Sequence, residues 1–280
     1  MRYPLARVLF GLLASLACGA APAADTADPT LIIQTPAHTL SLKRSELLAR
    51  RDVEMIDVDD VSYKRRMHYT AVKIAALLAG LDVAQDAALE IVATDGFVAM
   101  IPFQKLRNTT SRGAVAYLAI EDPRNPWPRL ARESAGPFYV VWVHPERSGI
   151  AREQWPFRVA RVIVKDSLER TYPAIQPAAA ADAKVKQGYV VFANNCLPCH
   201  RLNDAGPSQA GPDLNLPLNP TEYFREGILQ RWVRDPQSVR LRSTNVMPPF
   251  PRTALSDADL DALVAYLQHM APRKVAIPRR

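Results

Sequence analysis

Residues Cys196-Leu197-Pro198-Cys199-His200 decide how the rest of the chain is read. Two cysteines three positions apart with a histidine directly after them form the C-x-x-C-H pattern of a covalent attachment site for a c-type haem. Each thiol can add to one vinyl group of a single porphyrin, and the adjoining imidazole then lies beneath the iron as a fifth ligand. Other chemistries share part of the pattern. A zinc site needs a second pair of ligands, but the only further cysteine is Cys18 and the other histidines are scattered singly. A redox dithiol belongs at a strand-to-helix turn, whereas the residues before Cys196 have a helical pattern and those after His200 read as loop. A structural disulfide is the third alternative.

Upstream of the motif, Val185, Tyr189 and Phe192 recur at three- and four-residue spacing, which predicts an amphipathic helix from Lys184 to Asn194 running into it. Gly188 inside that helix costs about 1 kcal/mol against alanine, so close approach of a second helix is expected there. The second helix is the last one, where Ser256-Asp257-Ala258-Asp259 supplies an N-cap and Leu260, Leu263, Val264 and Leu267 form an apolar stripe with Tyr266 beside it. Between the two, Gly211-Pro212-Asp213-Leu214 is either an ordinary turn or a loop whose Pro212 carbonyl accepts the Nδ1 proton of His200, fixing the tautomer that turns Nε2 to the iron. The sixth ligand is expected in Asn245-Val246-Met247-Pro248-Pro249-Phe250. Two prolines cannot continue a helix, so Met247 is held on an extended loop suited to presenting a thioether opposite His200. Its rivals are Met270, expected to pack, and His269, expected to face solvent.

With these residues in view, 184–271 resemble a class I cytochrome c domain. The resemblance rests on Gly188 and Phe192, Cys196 to His200, Gly211-Pro212, Trp232 with Asp235-Pro236, Met247-Pro248 and Tyr266 in the terminal helix. It implies an all-α fold around one covalent haem c, the end helices crossing near Gly188, and one-electron transfer as the activity. With both axial positions filled by protein there is no open site for oxygen or peroxide. Residues 184–280 hold 13 basic and 8 acidic side chains. Arg231, Arg234, Arg240 and Arg242 are candidates to pair with haem propionates or to steer an acidic partner.

Residues 1–23 read as a signal peptide: Arg2 and Arg7, an apolar run from Val8 to Ala17, and small residues ending in Ala21-Pro22-Ala23. The run is shorter than the ~20 residues a membrane span needs. Lipidation at Cys18 is the weaker alternative, since Ser15 stands where a lipobox has an aliphatic residue. Cleavage after Ala23 leaves only Cys196 and Cys199, and the expected location is the periplasm. The chain has 35 Lys and Arg against 28 Asp and Glu. The basic residues are dispersed in short pairs such as Arg50-Arg51, which argues against a nucleic-acid partner. Length predicts two domains. The Pro- and Ala-rich stretch at 171–183 reads as a linker between a front domain over 24–170 and the haem domain over 184–280.

The front domain carries alternating apolar segments: Leu31–Ile33, Leu89–Ala93, Val98–Ile101, Ala116–Ile120, Tyr139–Trp142 and Val159–Val164, with Asp95-Gly96 as a tight turn. Helices are expected at Leu42–Ala49 and Ala71–Leu81, giving a strand-rich α+β domain. Tyr69 to Leu78, Ala93-Thr94-Asp95-Gly96-Phe97 with Ile101-Pro102, and Gly136-Pro137-Phe138 are similar to the molybdopterin-binding domain of the sulfite oxidase class of oxidoreductases. That class usually holds molybdenum through a cysteine thiolate, and residues 24–170 contain no cysteine. The resemblance therefore implies a fold kept and a cofactor lost, with His68 and His144 the only conspicuous substitute ligands. A domain without its metal is expected to dock the cytochrome onto a partner dehydrogenase or oxidase, using the loop Glu121 to Pro128 with Trp127 as anchor. The rival reading is an oxidoreductase whose front domain binds molybdopterin and oxidises a small substrate; a third is a haem-based ligand sensor.

Overall fold

The computed structural model describes residues 28–130, 132–240 and 247–276. The expected leader, Cys18 and Arg242 lie outside the described residues. The front of the chain forms two sheets. Strands β1 (Thr30–Gln34), β2 (Thr39–Lys43), β5 (Ala88–Ala93), β6 (Val98–Pro102) and β9 (Val159–Lys165) make a five-stranded sheet in the order β2-β1-β9-β5-β6. Strands β3 (Glu54–Asp60), β4 (Arg65–Lys73), β7 (Val115–Ile120) and β8 (Phe138–Val143) make a four-stranded sheet in sequence order. β7 is buried along its whole length and β8 along all but its last residue. That is why both read as continuous apolar runs rather than alternations. Asp95-Gly96 closes the β5-β6 hairpin, and the positive φ of Gly96 (87°) explains the glycine.

Two helix expectations are corrected. Leu42 belongs to β2, paired with Leu31, and the helix that follows is the single short segment α1 (Arg44–Leu48). Ala71 to Lys73 belong to β4, where Ala71 faces Glu54 on one side and Ala119 on the other, and only Ile74–Leu77 is helical (α2). A fully buried position between two hydrogen-bonded strands outweighs the helix preference of an alanine-rich run. β3 and the first half of β4 went unread. They form a charged hairpin whose inward residues, Ile56 and Val58 facing Tyr69 and Met67, alternate with exposed Asp57, Asp59, Arg66 and His68.

The remaining front-domain helices are the single turns α3 (Phe103–Leu106) and α4 (Leu168–Thr171). The back of the chain is helical: α5 (Ala183–Asn195), α6 (Pro220–Tyr223), α7 (Ile228–Arg234), α8 (Pro236–Val239) and α9 (Asp257–Met270). Asp182 caps α5 by accepting from the Val185 amide at 2.8 Å, and Ser256 caps α9 by accepting from the Asp259 amide at 3.0 Å. The two helices cross at Gly188, where a Cβ would overlap the Ala262 carbonyl. Phe192 and Tyr266 meet beside the crossing, both fully buried with ring centroids 5.3 Å apart.

The stretch between the two parts is fastened on both sides. The Tyr172 hydroxyl donates to buried Glu90 of β5 at 2.9 Å. Ile175 is completely buried in the helical core, and its carbonyl accepts the Tyr266 hydroxyl at 2.6 Å. Gln176 donates to the Tyr189 hydroxyl at 2.8 Å, and the Ala178 amide donates to His269 Nε2 at 3.0 Å, so His269 holds this strap. Met270, 1% exposed, packs in the core.

Candidate haem site

The last turn of α5 becomes the motif without a break. The Cys196 and Leu197 amides donate to the Phe192 carbonyl at 2.8 and 3.0 Å, and the Cys199 and His200 amides donate to the Cys196 carbonyl at 3.0 and 2.8 Å. This tight turn brings both thiols and the imidazole to one end of the helix. Both cysteines are free thiols. Burial pushes the Cys196 thiol up to about 12 and the Cys199 thiol up to about 11.

The loop after the motif orients the histidine. His200 Nδ1 lies 2.8 Å from the Pro212 carbonyl oxygen. A carbonyl only accepts, so Nδ1 carries the proton and Nε2 keeps its lone pair. Burial pushes the imidazole below its ordinary value, which keeps it neutral. The Gly211 amide donates to the Cys199 carbonyl at 2.7 Å, and a Cβ on Gly211 would come within 2.5 Å of the His200 ring. The glycine is therefore required by the ring's closeness. Two thiols in one turn, a neutral imidazole with Nε2 unprotonated, and a loop cut back to fit that ring form a donor set that fits a covalently attached haem.

The loop itself hangs on a buried polar network that sequence reasoning missed. Asp213 accepts from the Asn203, Asp204, Asn215 and Leu216 amides at 2.6 to 3.2 Å. Asn215, fully buried, donates to Asn203 and to the Met270 carbonyl, both at 2.8 Å. Asn219, equally buried, donates to Asn215 at 2.8 Å and to the Leu267 carbonyl at 3.0 Å. These bonds tie the Pro212 loop to the end of α9, and each satisfied buried amide avoids a desolvation cost of about 1–3 kcal/mol. Polar residues in a proline-rich loop have no periodicity to reveal such a network.

Met247 is half-buried and packs against the helical core. The segment after it is clamped to α7: the Phe250 amide donates to the Val233 carbonyl at 3.1 Å, and Arg234 donates to the Phe250 and Leu255 carbonyls and pairs with Asp257 at 2.7 Å. Arg234 thus braces the methionine loop, in place of the propionate or partner contact expected of it. Arg231 and Arg240 are exposed. Trp232 packs 5.7 Å from Phe224, which lies 4.8 Å from Tyr223.

In the front domain, His68 is exposed and 2.5 Å from Asp57, while His144 adopts a left-handed conformation (φ 55°) near Glu146. Among the described residues no three His, Cys, Asp or Glu side chains come together as a metal site would require. The expected anchor Trp127 is turned inward, its ring 4.9 Å from Tyr69 and its amide donating to Glu121 at 2.8 Å. It belongs to an aromatic cluster with Tyr139, so the loop's aromatic residue stabilises the domain itself. A front-domain segment reaches the helix that leads into the motif: Gln154 donates to Asn194 of α5 at 3.3 Å.

Residues 185–271 match the family model described as Cytochrome c. That span is a cytochrome c domain, and the cofactor it implies is covalently bound haem c. No curated protein matches the chain at a significant level. The solved structure of the sulfane dehydrogenase SoxCD from Paracoccus pantotrophus aligns with 51% of this chain and 40% of that chain, at 17% sequence identity and a TM-score of 0.37.

Proposed function

We propose, from the cytochrome c domain at residues 185–271, that the chain is a periplasmic monohaem electron carrier serving a partner dehydrogenase or oxidase, with the strand-rich front domain as its docking module. The observation that carries the reading is the His200 ring, whose Nδ1 is occupied by the Pro212 carbonyl at 2.8 Å so that Nε2 alone is available to a metal. Haem c, when bound, supplies a one-electron iron couple. Cys196 and Cys199 would fasten it, and His200 and Met247 would be the side chains that hold the iron. Asp213 and the buried asparagines keep the His200 loop rigid, and Arg234 does the same for the segment that follows Met247. Rigid ligand loops limit rearrangement between oxidation states, which suits outer-sphere transfer. The docking role is supported by a front domain that is a complete two-sheet unit fastened to the cytochrome through Tyr172 and Gln154.

The second reading, a front domain that binds molybdopterin and oxidises a small substrate, rests on the sulfite oxidase-like motifs. A metal and cofactor inventory of holoprotein from a haem-maturing host separates the two. Iron as covalent haem at one per chain, with molybdenum at background, is the expected result. Molybdenum near one per chain would replace the carrier reading with the enzyme one. N-terminal sequencing of the same material should begin at Ala24; a chain beginning at Met1 in the cytoplasmic fraction would contradict the location.

A further inference from the structure

A cleft of about 580 Å³ opens where the two parts of the chain meet, and no residue of the haem site lines it. Its volume falls in the range of small-ligand sites. Three segments wall it: the β3-β4 turn, residues 150–152, and residues 251–254 beyond the methionine loop. Each wall is fixed. Buried Asp60 folds the turn by accepting from the Ser62 and Tyr63 amides at 2.8 and 2.7 Å, and it takes the Tyr69 hydroxyl at 2.8 Å. Arg152 opens a short 3₁₀ turn that Gln154, 2% exposed, anchors through the Trp142 indole at 2.7 Å and Asn194 at 3.3 Å. In the third wall the Ala254 and Leu255 amides donate to the Pro251 carbonyl at 2.8 and 3.0 Å, while Arg234 holds the Leu255 carbonyl.

The chemistry of these walls is one-sided. Lys64, Arg65 and Arg152 all line the cleft, all are exposed, and none forms an ion pair. Glu153 acts on Arg152 electrostatically, but it does not pair with it and does not line the cleft. The Thr253 hydroxyl, also in the lining, makes no hydrogen bond within the protein. The two carboxylates present are offset: Asp60 by its three donors, and Asp59 by Arg66 at 3.7 Å. The cleft therefore offers free donors and positive charge, and its carboxylates are already compensated.

We propose that this cleft binds a small multivalent oxyanion of the phosphate or pyrophosphate kind, held by Lys64, Arg65, Arg152 and the Thr253 hydroxyl. Guanidinium forks match the edge of an oxyanion and an ammonium adds a compact charge. A single compact ligand is favoured over a run of carboxylates because cations from two separate segments line one cleft of small-ligand volume. The cations belong to the front domain and Thr253 to the haem domain, so the bound anion spans the two. This site goes beyond the electron-carrier reading and does not depend on it.

The test is isothermal titration calorimetry of the full-length holoprotein with inorganic pyrophosphate, at neutral pH and fixed low ionic strength, comparing wild type with Lys64→Gln, Arg152→Gln and Arg51→Gln. Arg51 is an exposed front-domain arginine outside the cleft and controls for net charge. All three side chains are exposed, so the substitutions leave the fold intact. Wild type should bind one pyrophosphate per chain. Lys64→Gln and Arg152→Gln should each weaken binding about tenfold, the loss of one charge-assisted contact, and Arg51→Gln should stay within twofold of wild type. Hexaglutamate, a linear carboxylate probe, should bind more weakly than pyrophosphate. Absence of saturable binding, or equal weakening in Arg51→Gln, overturns the proposal. Tighter binding of hexaglutamate with the same dependence on Lys64 and Arg152 also overturns it, and makes the cleft a docking groove for an acidic protein segment. Any of these failures leaves the haem reading standing, since attachment at Cys196 and Cys199 is measured separately.

Discussion

Replacing Cys196 and Cys199 together by serine will yield a chain with no haem that survives denaturation, a complete loss of the covalent cofactor. The reason is the bond itself. A thiol adding to a vinyl group leaves a thioether stable to unfolding, and a serine hydroxyl does not make that addition. Both sulfurs sit in one turn whose amides all return to the Phe192 and Cys196 carbonyls, and serine leaves those backbone bonds intact. The local fold therefore survives, and the loss reports chemistry. Each single variant should keep one thioether and remain coloured after denaturation. In-gel haem staining together with intact mass of the denatured chain checks all three proteins. Persistent covalent haem in the double variant would place the attachment elsewhere.

Gly188→Ala is expected to destabilise the haem domain by roughly 2 kcal/mol, although two effects oppose each other there. Alanine in place of glycine inside a helix is worth about 1 kcal/mol in its favour. Against that, the new Cβ would lie 2.6 Å from the Ala262 carbonyl carbon and 2.7 Å from the Tyr266 Cβ, and would overlap the Ala262 oxygen. Two of these three atoms are backbone, so a change of rotamer gives no relief and α5 must move away from α9. Overpacking of this kind typically costs 1–3 kcal/mol and occasionally more, with the upper end fitting a backbone clash. Steric cost therefore outweighs helix propensity. Guanidinium unfolding followed by the haem absorbance will show a lower midpoint; a midpoint equal to or above wild type would mean that the two helices do not approach as closely as described.

The haem domain was largely legible in the sequence because its signals are local or obligatory. Asp182 was not foreseen as a cap, but the helix it starts, the Gly188 crossing, the Ser256 cap and the α9 stripe all follow from spacing and residue chemistry. The front domain was readable wherever a strand is buried on both faces, as with β7 and β8. It was misread where a strand borrows helix-forming residues: Ala71 and Val72 extend β4 because β3 and β7 flank them. Exposed strand positions rich in Asp and Arg hid the β3-β4 hairpin. At the site, the Pro212 contact could be inferred because a metal-binding histidine needs a partner for its other nitrogen. Asn203, Asn215 and Asn219 could not, since their partners lie far along the chain. Gln154 was invisible for the same reason: nothing near it in sequence points to α5, and only the packing of the two parts brings it to Asn194. Arg234 illustrates the converse, a cation whose apparent availability ended once Asp257 and two carbonyls claimed it.

The claim on which the electron-carrier reading turns is that the iron is gripped by the His200 imidazole and the Met247 thioether. Near-infrared absorption of the ferric holoprotein tests it most directly, because sulfur ligation of low-spin ferric iron gives a weak charge-transfer band in that region. The account predicts the band in wild type, its loss in Met247→Ala, and slow carbon monoxide binding by ferrous wild-type protein. A ferric spectrum without the band, joined to rapid carbon monoxide binding, would contradict it and identify an open coordination position in place of an electron carrier.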